Sequence, residues 1–173
     1  MKNYICDFLI CSAACATLAF GQARPSSADT RFMDKAAQGG MAEVKLGQLA
    51  IDKGNDRVVK DFGQRMVTDH TNANNKLKDI ASRKGVTLPD SMDAKDQATY
   101  DRLSKLSGSE FDREYMRDMV KDHQGDVNEF RHESQSAKDA DVRAFAKDTL
   151  PTLEQHLSLA QQDNTRIGTT SRK

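Results

Sequence analysis

Apolar side chains recur at helical spacing along four long segments of this chain, and turn residues separate the segments. The spacing predicts long helices over Thr30–Asp52, Asp56–Lys84, Ser109–Ala137 and Val142–Asn164. A shorter helix is predicted over Asp93–Leu106, in the long connection between the second and third. This order is typical of an all-α protein, a ferritin-like four-helix bundle with a long crossover that contains a short helix.

Turn and capping residues set the predicted ends of these helices. Gly54 is expected to end the first helix in a left-handed conformation. Asp56, Ser109 and Asp141 are expected to cap the second, third and fourth long helices at their N-termini. Pro151 lies inside the fourth and should bend it or open its hydrogen bonding locally.

The first 23 residues have the pattern of a secretory signal peptide. Lys2 supplies positive charge, an apolar run covers Phe8–Phe20, and Gly21–Ala23 resembles a cleavage site. The apolar run is shorter than the roughly 20 residues that a membrane-spanning helix needs. The pattern predicts a periplasmic protein without a transmembrane helix in its mature form. Residues 24–29 are then a linker, residues 30–165 the helical bundle and residues 166–173 a disordered tail.

Cysteine content and charge exclude several functions for the exported part. All three cysteines (Cys6, Cys11 and Cys15) precede the predicted cleavage site, so disulfides, thiolate metal sites and a catalytic cysteine are not expected. Lysine and arginine together number 26, and so do aspartate and glutamate. The chain therefore lacks the excess positive charge that attracts nucleic acid.

The chain repeats a Met-Val-x-Asp-His motif, at Met66–His70 and again at Met119–His123. An aromatic residue precedes each methionine by four positions, at Phe62 and Tyr115. Because both copies lie in long predicted helices, the motif suggests a duplicated helical hairpin that carries Asp-His pairs near the core.

Three histidines from three predicted helices are expected to meet. A helix turns by about 100° per residue, which places His70, His123 and His156 on or beside apolar faces. At about 1.5 Å per residue, each lies about 24 Å from a bundle end, close to mid-height. Glu43 lies about one turn from that level. The predicted metal ligands are His70, His123, His156 and Glu43, with Asp69 and Asp122 as carboxylates that orient the histidines.

Two interpretations of this cluster stay open. Imidazoles and carboxylates suit zinc, copper, iron or nickel, which would make a divalent transition metal the cofactor. The same side chains can instead form a buried hydrogen-bonded network. The methionines Met66, Met116 and Met119 are interpreted as flexible core residues rather than thioether ligands. No residue is predicted to be catalytic, because no nucleophile has an evident base beside it and no glycine-rich phosphate loop is present.

A di-iron centre is not predicted. Di-iron bundles carry a Glu-x-x-His motif on two of their helices. The residue three positions before His70, His123 and His156 is valine or leucine. Glu129 and His132 have the required spacing, but His132 is predicted to face away from the core.

Three phrases of the sequence resemble one protein family. They are Phe32–Glu43, Phe62–His70 and Leu150–Leu157, and the likeness extends over Arg31–Gln162. The family is the exported, ferritin-like bacterial family called domain of unknown function 4142, whose members often carry the label putative outer-membrane protein. The resemblance implies an envelope-associated helical bundle and brings no established reaction with it.

The leading hypothesis is an exported bundle that binds a ligand or protects the envelope under stress, with a metal at mid-height. The alternative is a metal-dependent enzyme or a metal-storage protein that uses the same site. A third hypothesis is a structural helper that binds an envelope protein through the crossover at Ser91–Leu106.

Overall fold

The structure is a computed structural model that describes residues 24–170. The predicted signal peptide, with its three cysteines, and residues 171–173 lie outside the described residues. Residues 24–170 form five helices and no strand, so the predicted all-α bundle is confirmed. The helices are α1 Ser27–Lys53, α2 Arg57–Lys84, α3 Ala94–Ser104, α4 Gly108–Ser136 and α5 Ala140–Thr170.

The four long helices pack as two antiparallel hairpins. Helix α1 packs along α2, and α4 packs along α5. The hairpins meet where α2 contacts α5 and α1 contacts α4. The crossover between α2 and α4 contains α3, which packs on both α1 and α4. Within residues 24–170, no helix is both long enough and apolar enough to cross a membrane.

The outer helices are longer than the sequence pattern suggested. Helix α1 starts at Ser27 because Ser26 and Asp29 form a reciprocal capping box, so the linker predicted at residues 24–29 is wrong from Ser27 onward. Helix α5 continues to Thr170, and Ile167 is buried. The disordered tail predicted from residue 166 is therefore wrong up to residue 170.

Three predicted helix ends also differ. Gly54 has a φ of −54°, outside the left-handed region, and a Cβ there would lie 2.6 Å from the carbonyl oxygen of Ala50. Close approach of the backbone, rather than a left-handed φ, favours glycine at this position. Helix α4 starts one residue before the predicted cap Ser109. Asp139 rather than Asp141 caps α5, because its carboxylate accepts hydrogen bonds from the first backbone N–H groups of that helix.

Two other predicted features of the helices can be followed in the structure. Asp56 caps α2 as predicted, with its side chain accepting a hydrogen bond from the backbone N–H of Val58. Helix α5 runs without interruption through Pro151. The proline lacks an N–H group, so the carbonyl of Lys147 loses its usual partner within the helix. The predicted bend at this point stays a prediction.

Each hairpin is hydrogen-bonded to the turn of the other through an aspartate on its first helix. Asp29, in the first turn of α1, accepts hydrogen bonds from the backbone N–H groups of Lys138 (2.9 Å) and Asp139 (3.2 Å) between α4 and α5. Asp112, near the start of α4, accepts 2.8 Å hydrogen bonds from the two residues that precede α2. Each carboxylate thus satisfies backbone donors that the neighbouring helix leaves unpaired.

These reciprocal contacts define an internal repeat that differs from the Met-Val-x-Asp-His motif. The repeat aligns α1 with α4 and α2 with α5, and its paired residues are separated by a constant number of positions. The motif copies lie on α2 and α4, which are not equivalent helices. The motif therefore does not mark the duplication. The equivalent pairs include Asp29 and Asp112, Phe32 and Tyr115, Met33 and Met116, Asp56 and Asp139, Val59 and Val142, and Phe62 and Phe145.

The apolar core is divided into two clusters along the bundle axis. One contains three neighbouring phenylalanine rings, from Phe32, Phe130 and Phe145, with centroids 5.0 to 6.4 Å apart. The other contains Phe111 and Tyr115, whose rings stack at 5.6 Å. On α2, α4 and α5 alike, one histidine lies in sequence between residues of the two clusters. The histidines therefore form a polar layer between two apolar layers.

Candidate metal centre

The structure brings together the three histidines that were predicted to converge. His70 comes from α2, His123 from α4 and His156 from α5. The centroids of their rings lie 5.8 Å (His70 to His123), 5.4 Å (His70 to His156) and 5.4 Å (His123 to His156) apart. His123 and His156 have no exposed surface, and His70 is 7% exposed. Three helices from both hairpins thus place three imidazoles in the buried centre of the bundle.

Hydrogen bonds occupy one nitrogen of His123 and one of His156, and leave the other nitrogen of each ring without a partner. His123 Nδ1 lies 3.0 Å from the carbonyl oxygen of Met119, to which it donates. His156 Nε2 lies 2.9 Å from Asp69 Oδ2, to which it donates. These bonds leave His123 Nε2 and His156 Nδ1 as the nitrogens with lone pairs. Both atoms, and His70 Nε2, are buried and have no hydrogen-bond partner.

The spacing of the three rings suits a shared ion. One nitrogen from each ring lies within 4.8 Å of a nitrogen from each of the others. Ligands that hold an ion at about 2.0 Å in tetrahedral geometry are themselves about 3.3 Å apart. A small inward movement of the rings would therefore complete a three-nitrogen site. Unpartnered buried polar atoms carry a free-energy cost of roughly 1–3 kcal/mol each, which such an ion would relieve.

The two aspartates of the repeated motif do not orient the histidines beside them. Asp69 bonds to His156 on α5 rather than to its neighbour His70. Adjacent residues point about 100° apart on a helix, so such a pair does not share a face. Asp122 lies 3.9 Å from Lys95 Nζ, and no described hydrogen bond joins it to a histidine. Asp69 is thus positioned to orient His156 rather than His70. The contacts of Asp122 do not support an orienting role for that residue.

Burial keeps the three imidazoles neutral. The pKa of His70 is well below its usual value, first because the ring is buried and then because His123 and His156 are close. Burial and His156 lower the pKa of His123 to about 4. Burial also lowers the pKa of His156, although the hydrogen bond to Asp69 works against the shift. Neutral imidazole is the form that binds metal.

Glu43 lies beside the three-histidine group without joining it. Its Oε1 is 3.8 Å from His123 Nδ1, the nitrogen that donates to the Met119 carbonyl. The carboxylate groups instead with Asp122 and His123, whose ligand atoms lie within 4.8 Å of one another. Glu43 is 1% exposed, and neither oxygen has a hydrogen-bond partner. Burial and the charge of Asp122 raise its pKa well above the usual range.

Further acidic side chains beside Glu43 were not predicted as site residues. Asp126 lies one helical turn after Asp122, on the apolar stripe of α4, which was the available signal. Asp96 comes from α3, and its contribution depends on how the crossover folds back. Burial raises the pKa of both groups, that of Asp96 to about 6. His132, predicted to face away, has a side chain that is 72% exposed.

A partly open cleft leads to the histidines between α2 and α5. Its volume is about 190 Å³. His70 and His156 both line it, together with two carboxylates, Asp69 and Asp148, and one amine, Lys76. A small ion can therefore reach the buried imidazoles through a short polar entrance.

The fold and this centre define a small helical-bundle protein with three buried imidazoles at mid-height. The chain belongs to the family described as Domain of unknown function (DUF4142), which matches residues 15–162. No protein with curated annotation matches it significantly.

Solved structures with low sequence identity share the fold. A DUF305 fragment from Deinococcus radiodurans has a TM-score of 0.73 at 15% identity, covering 83% of this chain and 99% of that one. CopM in its Cu(I)-bound form has a TM-score of 0.65 at 16% identity, covering 78% and 93%. CopM in its Cu(II)-bound form has a TM-score of 0.68 at 15% identity, covering 80% and 96%.

Proposed function

We propose that this protein binds one transition-metal ion, with copper as the first candidate, through His70, His123 and His156 in the exported compartment of the cell. Its role is that of a metal-binding or envelope-protecting protein. The observation that carries the proposal is the set of three buried ring nitrogens, one per histidine, that have no hydrogen-bond partner. A purely structural hydrogen-bonded network would pair such atoms with one another or with the backbone.

The donor set narrows the class of ion. Three neutral imidazoles suit copper, zinc, iron and nickel, whereas magnesium and calcium prefer oxygen ligands. The Asp69 carboxylate, bonded to His156, would offset part of the ion's positive charge and raise the basicity of that ring. Copper is placed first because two structures with this fold are of CopM in copper-bound forms. The predicted signal peptide supports an exported location.

The test is a copper titration of protein purified without a histidine tag, with a chromophoric competitor to report affinity. We expect one equivalent to bind to the unaltered protein. The variants His70→Ala, His123→Ala and His156→Ala should each lose more affinity than the roughly 10–100-fold typical of an outer-shell partner. Elemental analysis of the same preparations identifies the ion acquired during expression.

The chain supplies a matched control in its fourth histidine. His132 has a side chain that is 72% exposed, away from the cluster. The His132→Ala variant should therefore bind copper like the unaltered protein. If the three cluster variants bind no more weakly than His132→Ala, the proposed site is wrong.

A second candidate function is a metal-dependent enzyme. The cleft beside His70 and His156 favours it, since the opening gives a small molecule access to the proposed ion. A site with three protein ligands and an open position is the usual arrangement of catalytic zinc. This alternative would be favoured over binding alone if the metal-loaded protein turned over a substrate and the His156→Ala variant did not. Metal storage would instead require more than one ion per chain.

A further inference from the structure

We propose a second cation site, separate from the three imidazoles, in which Glu43 and Asp122 bind a hard divalent cation, with Asp126 and Asp96 as further carboxylates on the adjoining cavity. These carboxylates come from α1, α4 and α3. Asp96, Asp122 and Asp126 line a cavity of about 280 Å³ between α1, α3 and α4, and Glu43 joins this group through its close approach to Asp122. The inference goes beyond the proposed function, since it concerns different residues and a different class of ion.

Glu43 is the residue that distinguishes this cluster from an ordinary acidic surface. The side chain is 1% exposed, and both carboxylate oxygens are buried without a hydrogen-bond partner. One of its oxygens lies within 4.8 Å of an oxygen of Asp122. A buried carboxylate that no N–H or hydroxyl group compensates is costly to maintain unless it binds a cation or shares a proton with Asp122.

The charges around the cavity remain unbalanced after the ion pairs are counted. Asp118 pairs with Arg102, and Glu129 pairs with Lys35 at 3.1 Å. The remaining four acids outnumber the two other amines that line the cavity, Lys95 and Lys121, and Lys95 is the one with described contacts to them. The Nζ of Lys95 is 3.9 Å from both Asp96 Oδ1 and Asp122 Oδ1, and its side chain is 74% exposed.

The positions of these acids bring several of them to one side of the bundle. Asp122 and Asp126 are one helical turn apart on α4, so they share a face of that helix. Lys95 contacts both Asp96 and Asp122, which places the α3 carboxylate beside those of α4. A divalent cation would offset the repulsion among these like charges.

The donor atoms select the class of ion. His123 Nδ1 faces Glu43 but donates its hydrogen to the Met119 carbonyl, so the available ligands are oxygens. Carboxylate and water ligands suit magnesium, calcium and manganese. The internal repeat places Glu43 on α1 and Asp126 on α4 at equivalent positions, so each hairpin carries one acidic residue at this point of its first helix.

The test is a Mn²⁺ titration followed by electron paramagnetic resonance, which measures free Mn²⁺. We expect the unaltered protein to bind one Mn²⁺, which Mg²⁺ or Ca²⁺ displaces. Glu43→Gln and Asp122→Asn should each weaken binding by 10-fold or more. The double variant His70→Ala/His156→Ala, which removes the three-imidazole site, should bind Mn²⁺ unchanged.

Two controls make the result decisive. Asp101→Asn removes an exposed carboxylate from α3, the helix that carries Asp96, and should leave Mn²⁺ binding unaltered. The Glu43→Gln variant should keep its copper affinity, so failure of either site is detected separately. Absence of Mn²⁺ binding at millimolar concentration would overturn the proposal, and would mean that a proton neutralises Glu43. Equal losses in Asp101→Asn and Glu43→Gln would overturn it as well.

Discussion

At the scale of single residues, hydrogen-bond partners outside the cluster decide which nitrogen His123 and His156 offer to an ion. The Met119 carbonyl holds His123 by Nδ1, and Asp69 holds His156 by Nε2. Opposite nitrogens of the two rings are therefore left for an ion. A helical projection places a histidine on a face, but it does not fix the tautomer. The tautomer of His123 depends on a carbonyl one turn back on its own helix, and that of His156 depends on Asp69 of another helix. The sequence therefore predicted the three histidines and an orienting role for Asp69, but not that Asp69 bonds to His156.

Replacing Asp69 by asparagine tests this orienting role. Asparagine keeps the size of the side chain and an oxygen acceptor but removes the charge that strengthens His156 as a ligand. Copper affinity should fall by roughly 10–100-fold, with the stoichiometry still at one equivalent. Competitive copper titration measures the change. Asp79→Asn, an exposed exchange on the same helix, is the control, and equal affinities for the two variants would contradict the role.

At the scale of helices, polar caps rather than apolar stripes fix where the elements end and how the hairpins are joined. Ser26 and Asp29 start α1 earlier than the stripe indicated. Asp29 also bonds to the turn between α4 and α5, a contact with residues more than 100 positions away in the chain. The periodicity of apolar residues carries no information about such polar contacts. The number of helices was therefore predictable from the sequence, whereas several helix ends were not.

The Asp29→Asn variant tests the joint between the hairpins. Burial alone would raise the pKa of Asp29, but hydrogen bonds from Lys138, Ser26 and Asp139 outweigh it and lower the pKa. A lowered carboxyl pKa stabilises the fold above the unfolded-state value of 3.8, and this contribution is lost as the pH falls through the lower folded-state value. Asp29→Asn should therefore reduce the unfolding free energy at pH 7 by about 1–3 kcal/mol.

Urea unfolding between pH 7 and pH 3 measures this effect. The difference between Asp29→Asn and the unaltered protein should shrink below about pH 3.8. Asp52→Asn, an exposed exchange on the same helix, should change the unfolding free energy by less than about 0.5 kcal/mol at every pH. A constant difference for Asp29→Asn across the whole range would show that its charge does not stabilise the joint.

At the scale of the whole molecule, the candidate centre joins the two hairpins. The first hairpin supplies His70, and the second supplies His123 and His156. The helical pattern predicted this convergence because all three histidines lie at mid-height on long helices. The acidic group around Glu43 was predicted only in part, since Asp96 reaches it through the folding of the crossover. The binding of an envelope protein through that crossover stays a prediction. Two apolar residues of the crossover, Met92 and Leu103, are buried within the fold.

The most direct test of the central claim is X-ray absorption at the copper edge on protein loaded with one equivalent. Three imidazole ligands predict about three nitrogen scatterers at about 2.0 Å, with the multiple scattering typical of histidine rings. This signal should change in His156→Ala and persist in Glu43→Gln. A spectrum dominated by sulfur at about 2.3 Å, or one without imidazole scattering, would contradict a site formed by His70, His123 and His156.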